Sequence, residues 1–158
     1  MRWLALATVS LHAATSAQTA LTPADRAAAF RAAGFEQQTG RWSKCGDPGT
    51  MTYSPGKIET VRDLNDDGRP EAVITEGSLF CFGNAGTGFH LVSKQANGTW
   101  RLMLESPGIA DVLPTKGVAG WPDLRIGGPG FCRAVRRWNG EAYEMTGLRD
   151  EQGKPCRR

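Results

Sequence analysis

The stretch Asp63-Leu64-Asn65-Asp66-Asp67-Gly68-Arg69-Pro70-Glu71 places oxygen-bearing side chains on alternate residues. Counted from Asp63, they fall at positions 1, 3 and 5, with Gly68 at 6, the Arg69 carbonyl at 7 and Glu71 at 9. That spacing suits chelation of a hard cation. Ca²⁺ takes six to eight oxygen ligands at about 2.3–2.6 Å, and alternate residues of a tight loop turn their oxygens to one centre. Leu64, between two of them, points the other way as an anchor. Asp, Asn and Gly also build ordinary turns, but four spaced oxygens with Gly at 6 exceed what a turn requires. Position 12 is Ile74, where an EF-hand carries its bidentate Glu. Ala72-Val73-Ile74 reads as a strand rather than a helix.

Other candidate chemistry is thinner. Ser78 follows Gly77, but Phe80 stands where a nucleophile elbow needs its second Gly, so Ser78 reads as a surface or strand-end residue. Gly83 to Gly88 and Gly127 to Gly130 are Gly-rich without the following Lys-Ser/Thr and helix of a phosphate cradle, and they read as loops between strands. Glu105 and Asp111 form no specific carboxylate pair. His90 has no Cys or second His near it and reads as a strand or surface residue. No nucleophile or acid–base pair emerges, so the expectation is a non-enzymatic protein.

The elements that position these residues begin after the N-terminus. Met1-Arg2, an apolar run to Ala14, and Thr15-Ser16-Ala17 read as a secretory signal peptide, residues 1–17. The run is too short to span a membrane, and no Cys follows it to take a lipid. Residues 18–158 then form one domain, periplasmic or secreted, with no membrane span after cleavage. Cleavage removes Arg2 and lowers the formal charge of +3 by one, too little to argue for nucleic acid. Thr22-Pro23-Ala24-Asp25 is a helix start, and Gly34 stops the helix, giving roughly residues 23–33. The 20 Gly and 9 Pro favour β structure beyond it. Strand–turn–strand patterns run from Phe35 to Cys45, Phe89 to Leu104 and Cys132 to Met145. Asn97-Gly98 and Asn139-Gly140 favour hairpin turns. Gly68-Arg69-Pro70-Glu71 and Gly120-Trp121-Pro122-Asp123 begin two similar units, each reaching a Phe-Cys pair, Phe80-Cys81 and Phe131-Cys132. This is a degenerate repeat of about fifty residues, with units at about 55–105 and 106–150. The expected fold is mainly β, a small or partial β-propeller-like antiparallel domain with one short N-terminal helix.

Cys45, Cys81, Cys132 and Cys156 are an even set for an exported chain and read as two disulfides. Cys81 and Cys132 occupy equivalent places in the two units, so stacking predicts Cys81–Cys132, leaving Cys45–Cys156 to tie the ends.

The acidic stretch resembles the calcium loop of FG-GAP/VCBS-type repeats: an Asp-x-Asn-x-Asp-Gly-x-x-Glu pattern running into an apolar strand. The resemblance is specific over 63–74 and looser across 55–145. It implies a propeller-like fold and one Ca²⁺ held by Asp63, Asn65, Asp67, the Arg69 carbonyl and Glu71; the second unit lacks the acids. Some periplasmic immunity proteins that neutralise lysozyme-like toxins look similar, and they inhibit by inserting loops into the enzyme's cleft. That likeness implies a protein partner, a lysozyme-like cell-wall hydrolase, met by Gly86, Gly88, Phe89, Gly128 and Phe131. The alternative class is a carbohydrate-binding or hydrolytic cell-envelope protein with Trp100, Trp121 or Trp138 as a sugar platform, although Trp121 and Trp138 read first as core or edge packing.

Overall fold

The structure, a computed structural model, describes residues 20–128 and 130–156; the signal-peptide reading lies outside them. Helix α1 (Pro23–Ala32) starts where Thr22 accepts the Asp25 N–H at 3.1 Å. It ends before Gly34, whose φ of +84° allows the left-handed exit. Strands β1 (Glu36–Gln38) and β2 (Arg41–Ser43) form a hairpin. Two four-stranded antiparallel meanders follow. The first is β3 (Ser54–Arg62), β4 (Glu71–Gly77), β5 (Thr87–Lys94) and β6 (Trp100–Pro107). The second is β7 (Ile109–Lys116), β8 (Pro122–Gly127), β9 (Arg133–Trp138) and β10 (Tyr143–Arg149). Among the described residues the fold is mainly β, with three antiparallel sheets and no closed barrel. The two meanders fall within a few residues of the sequence repeat, because each hairpin turn is local and each unit carries its own.

Alternation along the strands divides the interior into two cores. Ala72, Ile74 and Val92 of the first meander face α1 and the hairpin, packing on Phe30 and Phe35. Phe89 and Leu91 face the second meander and meet Trp121, Leu124, Ile126 and Trp138. Leu64 joins this second core, so the acidic loop is pinned by its one apolar side chain, as its spacing predicts. Gly120 has φ +78°, and a Cβ there would stand 2.7 Å from the Asn65 carbonyl oxygen. Only glycine lets the second unit approach the acidic loop so closely.

Three expectations are corrected. First, the helices number two among the described residues: α2 (Leu79–Phe82) lies between β4 and β5. Four residues carry no helical period, so it left no pattern to find. Ser78 stands at the end of β4, the strand-end place read for it, but is fully buried rather than at the surface; its hydroxyl accepts the Cys81 N–H at 3.0 Å, capping α2, and donates to Asp47. Second, the disulfides are Cys45–Cys81 and Cys132–Cys156, each with Cα atoms 6.1 Å apart. The Cys81–Cys132 and Cys45–Cys156 pairing fails because neighbouring segments, not repeat equivalents, bring the sulfurs together. Glu76 of β4 accepts the N–H groups of Lys44 and Cys45 at 3.0 and 2.9 Å, which lays that segment beside α2. The C-terminal tail folds back on β10 through the Cys156 N–H to Leu148 carbonyl bond at 3.0 Å, reaching the start of β9. Third, the tryptophans proposed as a sugar platform are interior: Trp100, Trp121 and Trp138 are each at most 9% exposed. The aromatic residues just past the turns fill the cores, where flat, large side chains bury most area.

Candidate functional site

Two candidate features lie at opposite ends of β4: the acidic loop that enters it and the glycine-rich loops beyond its far end. In the acidic loop, positive φ at Asp66 (+62°) and Gly68 (+82°) tightens the backbone. Asp63 accepts the Gly68 N–H at 2.7 Å and the Asp67 N–H at 3.2 Å. Asn65 Nδ2 donates to Asp67 at 3.0 Å. The side chains at positions 1, 3 and 5 are thus gathered around one stretch of backbone. The Arg69 guanidinium pairs with Asp67, and its Nε donates to the Lys94 carbonyl at 3.2 Å. Glu71 sits beneath the loop, 1% exposed, accepting the Leu64 N–H at 2.7 Å and the Ser93 hydroxyl at 2.8 Å. Burial, with the charges of Asp67 and Asp63 adding to it, pushes its carboxyl up to about 7. Among the described residues, no three His, Cys, Asp or Glu side chains converge as a metal group.

The second unit shows what this buried acid requires. Asp123 is the equivalent of Glu71 in the Gly-x-Pro-acid pattern and is also buried, 3% exposed. It lies one register step beyond the Leu124↔Arg136 pair, opposite Arg137, whose Nε and Nη2 donate to it at 2.9 and 2.7 Å. The Arg137 hydrogen bond holds the Asp123 carboxyl below the usual carboxylate range. In the first unit the cross-strand partner is Ser93, paired with Glu71 in the register. A neutral hydroxyl stands where the second unit has a guanidinium. Burying a carboxylate without a cation is costly. The loop therefore fits a hard cation in backbone and in charge. Its donors are not gathered on one point, because Arg69 holds Asp67.

The glycine-rich loops meet at one end of the molecule. A Cβ built on Gly128 would lie 3.8 Å from the Ala85 Cβ, and one on Gly86 would lie 3.7 Å from Leu79. The Leu79 N–H donates to Thr52 Oγ1 at 3.2 Å, and Ile109 pairs with Gly127. Met51, Leu79, Phe80, Ile109 and Phe131 are all exposed here, Phe80 at 65% and Phe131 at 88%. Each exposed phenylalanine directly precedes a bridged cysteine: Phe80 before Cys81, Phe131 before Cys132. The stretches 48–56, 77–89, 106–110, 126–128 and 130–132 that supply this end contain no Asp, Glu, Lys or Arg.

Two expected contact residues do not belong to this face. Phe89 is 2% exposed in the core between the meanders, since its place in β5 turns it to the second sheet. Gly88 is buried in β5, where a Cβ would stand 2.5 Å from the Phe82 ring. Its role is to let Phe82 lie flat on the strand. Phe80 was missed by the sequence reading; its position before a cysteine, matching that of Phe131 in the repeat, was the available signal. Glu105 and Asp111 do not pair with each other: Glu105 pairs with Lys44, and Asp111 with Arg125 at 2.9 Å and Arg133 at 3.4 Å.

Among the described residues no helix is long and apolar enough to cross a membrane. Two disulfides suit an oxidising compartment. No protein-family model, curated protein or solved structure matches the chain.

Proposed function

We propose that this protein is an exported, non-enzymatic binding domain that docks another protein on the apolar loops at this end. The observation that carries the reading is the pair of exposed phenylalanines, each next to a bridged cysteine that restrains its backbone. Large aromatic side chains held rigid before binding lose little entropy on docking, which is how hot spots gain affinity. A contiguous exposed apolar surface is otherwise a liability for a soluble protein. The acidic loop lies at β4's other end and acts as a structural calcium site. Asp63, Asn65, Asp67, the Arg69 carbonyl and Glu71 would hold the ion, and its charge would supply what Arg137 supplies to Asp123. Meanders stacked face to face suit a partial propeller, the architecture the loop's resemblance implies.

Within that class, the resemblance favours a periplasmic inhibitor of a lysozyme-like cell-wall hydrolase, the adjoining loops at 83–88 and 127–128, with Phe131, entering the cleft. The test is inhibition of a panel of such hydrolases by the mature protein and by Phe80→Ser and Phe131→Ser. The wild type slows at least one enzyme, and each variant loses roughly thirtyfold or more in affinity, as for a hot spot of about 2 kcal/mol. A panel showing neither binding nor inhibition removes the inhibitor reading. Capture of envelope proteins that is indifferent to both substitutions removes the docking face.

A further inference from the structure

Beside the docking end, a cavity of about 330 Å³ opens between the Lys44–Cys45 segment and strands β5 and β6. Its volume lies at the lower bound of small-molecule sites. The apolar wall is Phe82 and Pro107, and the ionisable lining is Lys44, Glu76, His90 and Glu105. Glu76 is buried and accepts the Lys44 N–H, the Cys45 N–H and the Tyr53 hydroxyl, the last at 3.1 Å. Each of these donors is neutral. The Lys44 ammonium donates to the Ala33 carbonyl at 2.9 Å and to Glu105 Oε2. His90 Nε2 stands 3.7 Å from the same Oε2, but burial and the Lys44 charge lower the imidazole to about 4, leaving it neutral at pH 7. The cavity thus holds two carboxylates against one ammonium. Glu105 Oε1 accepts no hydrogen bond from the described residues, and the side chain is half exposed at the rim.

We propose that this cavity binds an organic cation, an amidinium, guanidinium or ammonium carried on a flat apolar group. Glu105 Oε1 takes the cation's N–H, and the Phe82 ring and Pro107 cover the apolar part. A planar cation against an aromatic wall gains cation–π attraction and a charge-assisted hydrogen bond together. The surplus carboxylate disfavours an anion, and the single ammonium is already engaged twice. The site does not depend on the protein-docking reading: its charged residues, Lys44, Glu76 and Glu105, take no part in that face.

His90 is the one histidine of residues 18–158, so its ring resonances report on the cavity without overlap. Benzamidine, benzamide and benzoate are titrated into the mature protein while the His90 Hε1 signal is followed. The expected result is a saturable shift with benzamidine, and binding at least about tenfold weaker for the two uncharged or anionic analogues. Glu105→Gln should weaken benzamidine by a similar factor, with thermal melting checking that it remains folded. Ser106→Trp, which narrows the mouth while leaving every charge in place, should also abolish the shift. Acetyl-arginine amide separates the sources: binding by it as well as benzamidine assigns the cation to a polypeptide side chain, binding by benzamidine alone to a free amidine. Equal shifts with benzamide or benzoate, or no saturable shift with benzamidine in a folded wild type, overturn the proposal.

Discussion

Removing the Cys45–Cys81 bridge by the double substitution Cys45→Ala and Cys81→Ala separates the structure's connectivity from the one the repeat suggested. The bridge closes 36 residues. In the chain-entropy model a loop of that length is worth about 4 kcal/mol, and the 24-residue Cys132–Cys156 loop about 3.5 kcal/mol. At roughly 2 cal/mol/K of unfolding entropy per residue, losing 4 kcal/mol lowers the Tm of a domain this size by about 10–14 °C. The loss should be largest around α2, whose four residues make only one capped turn. Amide exchange there should rise, while the Leu124 and Ile126 amides of β8 remain protected. A thiol assay under denaturing conditions adds a decision independent of energies. The double variant should contain no free thiol, because Cys132–Cys156 survives. With Cys81–Cys132 and Cys45–Cys156 as the true pairs, the same variant would expose two thiols. Two free thiols, or a stability loss under about 1 kcal/mol, would refute the pairing and the anchoring of Phe80 inferred from it.

Calcium at about 100 times its dissociation constant should stabilise the wild type by about 2.7 kcal/mol, and Asp67→Ala should abolish the gain; a wild-type Tm indifferent to Ca²⁺ and chelator excludes the ion. Gly120→Ala places a Cβ 2.7 Å from the Asn65 carbonyl at φ +78°, so it should cost about 1–3 kcal/mol and weaken calcium together with stability; an unchanged denaturation midpoint would contradict the close approach. His90 is lowered to about 4 from an ordinary 6.5, so the unfolded chain binds its proton first as pH falls. The His90 contribution should be fully present above about pH 6.5 and decline towards pH 4, by up to roughly 3 kcal/mol, while the raised Glu71 carboxyl contributes in the opposite sense between about pH 4.5 and 7. The difference between wild type and His90→Gln in pH-dependent urea melts isolates the imidazole: it should shrink as pH falls from about 6.5 to 4, and a difference independent of pH would place the titration elsewhere.

Local chemistry decided what the sequence made legible. Thr22-Pro23 and Gly34 bound α1 through groups three residues apart or less. Asn97-Gly98 and Asn139-Gly140 close hairpins whose strands are contiguous in the chain, and the acidic loop's spacing turns Leu64 inward without outside help. The repeat showed itself because each meander is built from such local hairpins. Everything that depended on which distant segments become neighbours was left to the tertiary structure. The sulfurs pair across adjacent segments laid down by Glu76 and by the folded-back tail, a choice among three connectivities that spacing cannot make. Phe89, Trp121 and Trp138 became core because two sheets stack, and Trp100 because α1 covers the first sheet, whereas Phe80 on α2 and Phe131 stayed outside where neither covers them. The contrast between Glu71 with Ser93 and Asp123 with Arg137 exists only in the cross-strand register. Lys44, His90 and Glu105 are far apart in sequence and meet because β2's exit crosses the ends of β5 and β6, where burial, which no sequence spacing encodes, leaves the imidazole neutral.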